Sequence, residues 1–359
     1  MDTTDSRIIL VVIFGGQSAE HDVSCVTASH VLRAADPNKY RTIAVAITRS
    51  GEWTSPHLSE LPEGGVNPDT IPPRLDATGT PVSREIIATT MATGSTVIMP
   101  LVHGPLGEDG TLQGLLEMFG VAYVGSGVLA SALAMDKSMA KTVFSQAGIP
   151  QVRHVSLRDD ELSPQTLHEI AEQLGFPIFV KPANMGSSVG VSKAQNMAEL
   201  QHGATVAAGY DEWIVFEEGV TARELEVAVI GNRSPRASVV GEIVPGSSFY
   251  DYEDKYVTDS ATLIVPSSLT SEQSDEVRAL ALRAYTTLRC EGMARVDFFF
   301  EEDGRGFLCN EINTIPGFTP ISMYPKMWEA SGVTYPELIN ELVAHAQERH
   351  SRRKINTSR

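Results

Sequence analysis

Two apolar segments near the C-terminus each carry a polar pair at a spacing of two residues, and this pattern limits the fold more than any other in the chain. The first is Met293-Ala-Arg-Val-Asp-Phe-Phe-Phe; the second, after an acidic glycine turn, is Phe307-Leu-Cys-Asn-Glu-Ile-Asn-Thr-Ile-Pro-Gly. Side chains two apart on a strand share a face, so Arg295 projects with Asp297, and Glu311 with Asn313. Hard oxygen donors from neighbouring strands suit Mg²⁺. That ion, held by one or two carboxylates, takes phosphate oxygens and water as its other ligands, so a phosphate substrate is implied.

Register decides whether the two pairs meet. Residues directly opposite on antiparallel strands point to one side, and a plain two-residue Asp303-Gly304 loop would set Asp297 against Asn310, turning Glu311 away. An odd-length loop centred near Gly304, or a β-bulge, restores the facing pair, and one of the two is expected. The bland alternative is a buried hairpin with solvated acids at its end.

The 359 residues allow roughly two to three domains, and an apolar content of 42% is enough for ordinary cores. With 28 Lys and Arg against 45 Asp and Glu, the formal charge is −17. No polyanion, nucleic acid included, is held by such a surface as a whole, and a phosphate must be met by local cations. The basic stretch Arg349-His-Ser-Arg-Arg-Lys is short and reads as a frayed helix end. Cys25, Cys290 and Cys309 stand singly and far apart, which points to a reducing compartment. The apolar run over residues 8–14 is too short to span a bilayer and follows acids instead of a basic segment. Neither a signal peptide nor a membrane helix is expected, and the cytoplasm is the default location.

Along the chain, an apolar strand over residues 8–14 ends in Gly15-Gly16, a helix follows over 23–35, and a second strand over 42–48. This order suggests a parallel sheet, an α/β arrangement. Residues 59–83, rich in Pro, Gly and Asp, read as a surface excursion, after which the sheet resumes over 95–102 and a helix covers 111–119. Asp136 is placed to cap a helix over 137–147, and Ser163-Pro164 to start one ending at Gly175. Strands are expected over 176–181, 191–193, 212–217 and 224–230, with helices from Ser271 and from Tyr335. The domain boundaries expected are 1–125, 126–216 and 217–359, with residues 246–260 forming a polar aromatic loop suited to a lid.

Gly186-Ser-Ser-Val-Gly190 formally matches a nucleophile elbow with Ser188 as the attacking group, but the residues around it read as strand, loop, strand. As a mobile loop beside Lys181 it offers N–H groups and hydroxyls to phosphate oxygens; a plain hairpin turn is the third option. No Gly-x-x-x-x-Gly-Lys-Ser/Thr occurs, and Gly15-Gly16-Gln-Ser-Ala-Glu20 lacks the third glycine of a dinucleotide fingerprint. It does provide an anion-friendly helix start with an acid beside it, a combination that fits a zwitterion. Lys137, Lys181 and Lys255 lie near loops, and Glu217, Glu218 and Glu224 could bond a ribose or adenine edge; taken singly, each would pass as a solvated surface group.

Together these segments resemble the D-alanine–D-alanine ligases of the ATP-grasp superfamily. The resemblance rests on Phe14-Gly-Gly-Gln-Ser-Ala-Glu-His-Asp-Val-Ser, His103-Gly-Pro-Leu-Gly-Glu-Asp-Gly-Thr-Leu-Gln-Gly, Gly125-Ser-Gly, Met135-Asp-Lys, Lys181-Pro, the Gly186 loop, Tyr250-Asp-Tyr-Glu, Lys255-Tyr256, Arg295-Val-Asp and Glu311-Ile-Asn-Thr-Ile-Pro-Gly. Residues before Ser83 in the Pro-rich stretch and the basic tail fall outside the pattern. The resemblance implies an ATP-grasp fold, α+β in its ATP-binding part, with an N-terminal parallel-sheet domain closing the substrate side.

It also implies roles. Lys137 and Lys181 would contact ATP phosphates, Glu217, Glu218, Val220 and Glu224 the adenosine, and Phe249 and Lys255 the nucleotide from the lid. Asp297, Glu311 and Asn313 would bind two Mg²⁺ ions, with Mn²⁺ a possible substitute. Glu20 would hold the first D-alanine's ammonium, linked through Ser187 and Tyr256 to the lid, with His103 near its carboxylate. Arg295, Gly317, Ser322 and Met323 would receive the second D-alanine. The implied reaction is ATP-dependent dipeptide formation through an acyl phosphate for peptidoglycan precursors, by a cytoplasmic homodimer. Tyr256 favours an amine over D-lactate as second substrate, and D-serine stays open. The rival reading is a nucleotide-binding module that keeps the fold without turnover.

Overall fold

Continuous apolar strands are stable where both faces are covered, and β1 (Ile8–Gly15) is buried almost throughout. In the computed structural model, which describes residues 6–82, 95–244, 261–319 and 321–352, β1 is central in a first sheet. Its other strands are β2 (Tyr40–Ile47), β3 (Trp53–Ser55), β4 (Thr80–Pro81), β5 (Thr96–Pro100) and β6 (Ala122–Tyr123), in the order β4-β3-β2-β1-β5-β6. The pairs β1 with β2 and β1 with β5 are parallel, as expected; β6 adds a further parallel pair with β5, while β3 and β4 add an antiparallel edge.

Helix α1 (His21–Ala34) crosses from β1 to β2. The turn between them needs glycine: Gly15 has φ +89°, and a Cβ there would sit 2.2 Å from the Ile47 carbonyl oxygen. Residues 59–82 are not a loose excursion. Val66, Ile71, Leu75 and Ala77 are buried against the first core, so this irregular segment covers apolar surface that β2 and α1 leave open.

Helix α2 (Thr111–Phe119) leads to β6, and α3 (Val128–Met135) and α4 (Lys137–Gln146) follow. The Asp136 carboxylate caps α4 by accepting from the Met139 N–H at 2.9 Å. A second sheet contains β7 (His154–Arg158), β8 (Ile178–Pro182), β9 (Ser192–Ala194) and β10 (Trp213–Glu218), in the order β7-β10-β8-β9, antiparallel throughout. Helices α5 (Pro164–Leu174) and α6 (Met197–Ala208) cover it through Leu167, Ile170, Leu200 and Ala204. Ser163 caps α5 and Gly175 follows its end, as the sequence predicts.

The third sheet runs β13-β12-β11-β14-β15 and is also antiparallel. Its strands are β11 (Arg223–Gly231), β12 (Arg236–Val244), β13 (Thr262–Ile264), β14 (Gly292–Glu301) and β15 (Gly306–Asn313). Helix α7 (Ser271–Thr287) packs on one face, opened by a Thr270–Gln273 capping box. Helices α8 (Met323–Ala330) and α9 (Tyr335–Arg352) join the first core, where Trp328 and Leu338 belong to the same cluster as Val97 and Met99. Among the described residues no helix is long and apolar enough to cross a membrane.

As far as Arg352, the basic C-terminal stretch is not a frayed end. Arg349 donates to the carbonyls of Gly125 (2.7 Å) and Tyr123 (3.2 Å) and stacks on the Tyr123 ring at 4.0 Å, while Arg352 pairs with Glu291. These contacts tie α9 to the end of the first sheet.

Candidate active site

The floor of the site is the β14/β15 pair. Near the turn, Glu301 pairs with Gly306 and Phe298 with Cys309, the register that would set Asp297 against Asn310. A bulge then takes up Asn310, and Asp297 faces Glu311 while Arg295 faces Asn313. The turn is even and the bulge makes the correction, one of the two solutions expected.

Arg295 donates to both Asp297 oxygens, at 2.7 and 2.6 Å, and its Nε lies 3.1 Å from Glu226 on β11. Burial disfavours the guanidinium charge, but Asp297 and Glu226 outweigh it and hold its pKa well above the ordinary value. Asn313 Nδ2 adds a 3.0 Å bond to Asp297. Two carboxylates and an amide form a hard-oxygen set that fits Mg²⁺ in kind. Among the described residues no group of three or more His, Cys, Asp or Glu side chains gathers to cage a metal.

One wall comes from α4, β8 and β10. Lys137, at the start of α4, donates to the Met185 carbonyl at 2.6 Å and lies 3.9 Å from Glu311 Oε2. Burial lowers its pKa, with Glu311 partly offsetting the effect. Lys181 on β8 reaches Glu217 Oε2 at 2.6 Å, and Lys141 reaches Oε1 of the same carboxylate at 2.8 Å. Burial works against the Lys181 charge, yet Glu217 raises its pKa overall; the two lysines likewise hold Glu217 far below the usual carboxylate range despite its burial. Glu218 accepts from the Arg153 N–H and Nε (2.8 and 2.6 Å) and from Arg305 (2.5 Å). The carboxylates of Glu217 and Glu218 are thus engaged by protein cations.

The loop at Gly186 joins β8 to β9, so a strand follows it where a nucleophile elbow needs a helix. Ser187 and Ser188 take left-handed backbone angles, φ +49° and +60°, a costly conformation for non-glycine residues that is common at functional sites. Ser187 Oγ donates to Glu20 Oε1 at 2.6 Å, and a Cβ on Gly186 would fall 2.9 Å from Glu20 Oε2. The second sheet's loop therefore touches the first domain at the head of α1.

Around Glu20 the roof is polar. His103 is buried, its Nδ1 3.0 Å from the Ile315 carbonyl and its Nε2 without a hydrogen-bond partner among the described residues. Burial lowers its pKa, so the ring is neutral. Glu108 accepts from the Gly104 N–H (2.7 Å) and the Ile315 N–H (3.1 Å), and its carboxyl is pushed up to about 8, first by burial and then by Glu20. At the far end, Ser322 Oγ accepts from the Thr319 N–H at 3.1 Å beside Gly317, and Met323 opens α8.

The site side chains named above other than Lys141, Arg153 and Arg305 line, with Val220 and Glu224, one cleft of about 1170 Å³. Every predicted site residue that the structure describes is on its wall. Phe249, Lys255 and Tyr256, and the expected lid over 246–260, lie outside the described residues. Three participants escaped the sequence reading. Lys141 is one helical turn from Lys137, Glu226 is two residues from Glu224, and Glu108 lies inside the His103 motif; each signal was present but indistinguishable from a surface charge.

A family model described as D-ala D-ala ligase N-terminus matches residues 9–126, and one described as D-ala D-ala ligase C-terminus matches residues 143–344. The chain belongs to the D-alanine–D-alanine ligase family. A ligase-family relative, the D-alanine–D-alanine ligase of Geobacillus kaustophilus, is 45% identical over 362 aligned positions, covering 96% of each chain. Among solved structures, the D-alanine–D-alanine ligase from Coxiella burnetii matches with a TM-score of 0.78 at 30% identity, covering 97% of this chain and 96% of that one. The VanG D-Ala:D-Ser ligase from Enterococcus faecalis matches at 0.81 and 32%, covering 95% and 99%. The architecture is the ATP-grasp fold of these ligases.

Proposed function

We propose that this chain joins two D-alanine molecules at the expense of ATP, releasing ADP and phosphate, and supplies the dipeptide for peptidoglycan precursors. It acts as a cytoplasmic homodimer. One observation carries the reading. The bulged β14/β15 pair brings Asp297, Glu311, Asn313 and Arg295 to the floor of a nucleotide-sized cleft, facing Lys137 and Lys181 on one side and Glu20 with Ser187 on the other.

A carboxylate is a poor electrophile. The first D-alanine, its ammonium on Glu20 and its carboxylate near His103, takes the γ-phosphoryl group to become an acyl phosphate. Phosphoryl transfer depends on positioning and charge neutralisation, which suits a site that supplies lysines. Lys137 and Lys181 hold phosphate oxygens. Mg²⁺, as two ions held by Asp297, Glu311 and Asn313, or Mn²⁺ in its place, would neutralise phosphate charge. Because the Glu217 and Glu218 carboxylates are engaged, adenosine is met by the main chain from Glu218 to Val220 and by Glu224, with Phe249 and Lys255 closing from residues 246–260.

The amine of the second D-alanine, seated by Arg295, Ser322 and Met323, attacks the acyl carbon, and phosphate departs. Arg295 and the Gly317 N–H face the tetrahedral oxyanion. Ser187 and Tyr256 link Glu20 to the lid, which excludes water that would hydrolyse the acyl phosphate. Purified protein given ATP, Mg²⁺ and D-alanine should release phosphate and form D-alanyl-D-alanine. ATP hydrolysis without D-alanine and without dipeptide would refute the reading. D-serine and D-lactate offered in competition measure the strictness of the second site.

A further inference from the structure

Lys141 touches neither face of the expected reaction, yet its side chain is only 2% exposed. An ammonium buried that far costs several kcal/mol unless a partner offsets it. Its partner is Glu217, buried equally deeply and already held by Lys181 on its other oxygen. The Lys141–Glu217 ion pair is close, at 2.8 Å. Glu311 and Glu224 are the other acids acting on Lys181.

The consequence concerns Lys181. If Glu217 had Lys181 as its one cation, turning that ammonium to a phosphate would strand a buried carboxylate, and removing one partner of a buried pair is strongly unfavourable. With Lys141 in place, Glu217 keeps a cation when Lys181 turns away. We propose that Lys141 is a positioning residue that retains Glu217 and so frees Lys181 for the nucleotide's β- and γ-phosphates. This rests on the nucleotide reading given above.

Equilibrium binding of ADP and AMP to the full chain tests it, in wild type, Lys141→Met and the double variant Lys141→Met/Glu217→Gln. In Lys141→Met, ADP should bind about tenfold more weakly while AMP changes less than about twofold, because adenosine contacts are untouched. The double variant removes the captor as well, and ADP affinity should return to within about threefold of wild type. Wild-type ADP affinity in Lys141→Met, an equal loss for AMP, or no recovery in the double variant would each overturn the proposal; the last would mean that Lys141 meets phosphate itself. If Lys141→Met does not fold, the double variant decides alone, since a tenfold loss there is fatal to the idea. Failure of wild type to bind ADP would instead overturn the nucleotide reading beneath it.

Discussion

Glu311→Gln separates structure from chemistry at one atom. Glutamine keeps the volume, so no cavity opens, and what is lost is a charge 3.9 Å from Lys137 Nζ. At that distance, with an effective dielectric near 20, the gross attraction is about 4 kcal/mol. Desolvation of both groups offsets most of it, and Lys137 keeps its bond to the Met185 carbonyl. The net cost to folding should be no more than about 1 kcal/mol, a fall in Tm of about 2–4 °C. Turnover should fall far more. Removing one preorganised electrostatic contact from a transferring or oxyanionic centre costs about 10²- to 10³-fold, or about 3–4 kcal/mol of barrier. Thermal unfolding without nucleotide and phosphate release across a Mg²⁺ series give both quantities, and the Mg²⁺ dependence should move to higher concentration. Wild-type turnover with an unchanged Mg²⁺ profile would refute the metal assignment. A Tm loss above about 10 °C would make Glu311 a structural residue instead.

Glu108→Gln tests the buried acid. Its folded pKa of about 8 lies above the ordinary 4.5, so the fold favours the protonated form. That stabilisation is complete below about pH 4.5, is lost as pH rises towards 8, and is flat beyond. Urea unfolding at pH 5.5 and 7.5 should show a smaller pH dependence in Glu108→Gln than in wild type, together with a loss of about 1–3 kcal/mol, because an amide cannot accept from both Gly104 and Ile315. An unchanged slope would sink the titration argument. Gly241→Ala places a Cβ 2.2 Å from Met323 Cε; the flexible side chain must move, at about 1–3 kcal/mol, and KM for the second D-alanine should rise while KM for ATP stays put. Steady-state kinetics with each substrate varied would expose a wrong assignment of Met323. Tyr256→Phe should raise D-lactate use relative to D-alanine in a competition assay, and an unchanged ratio would remove Tyr256 from the lid.

Much of the fold was legible because its signals are local. Asp136 and Ser163 cap the helices they precede, apolar continuity marks β1, and alternation marks β14. Residues 59–82 were misread because Pro and Gly argue for irregular backbone but say nothing about burial. The basic tail was misread because Arg349 finds its acceptors at Tyr123 and Gly125, more than two hundred residues away in sequence.

The sequence by itself determined which side chains share a strand face, where the helices opened by Asp136 and Ser163 begin, and the motif set that marks the family. These depend on backbone period and on bonds between near neighbours. Tertiary structure alone decided that the bulge falls at Asn310, that Glu217 is divided between two lysines, and that Glu108 bridges to Ile315. Such contacts join distant segments, and their free energy comes from burial and charge pairing that exist once the three sheets have packed around the cleft.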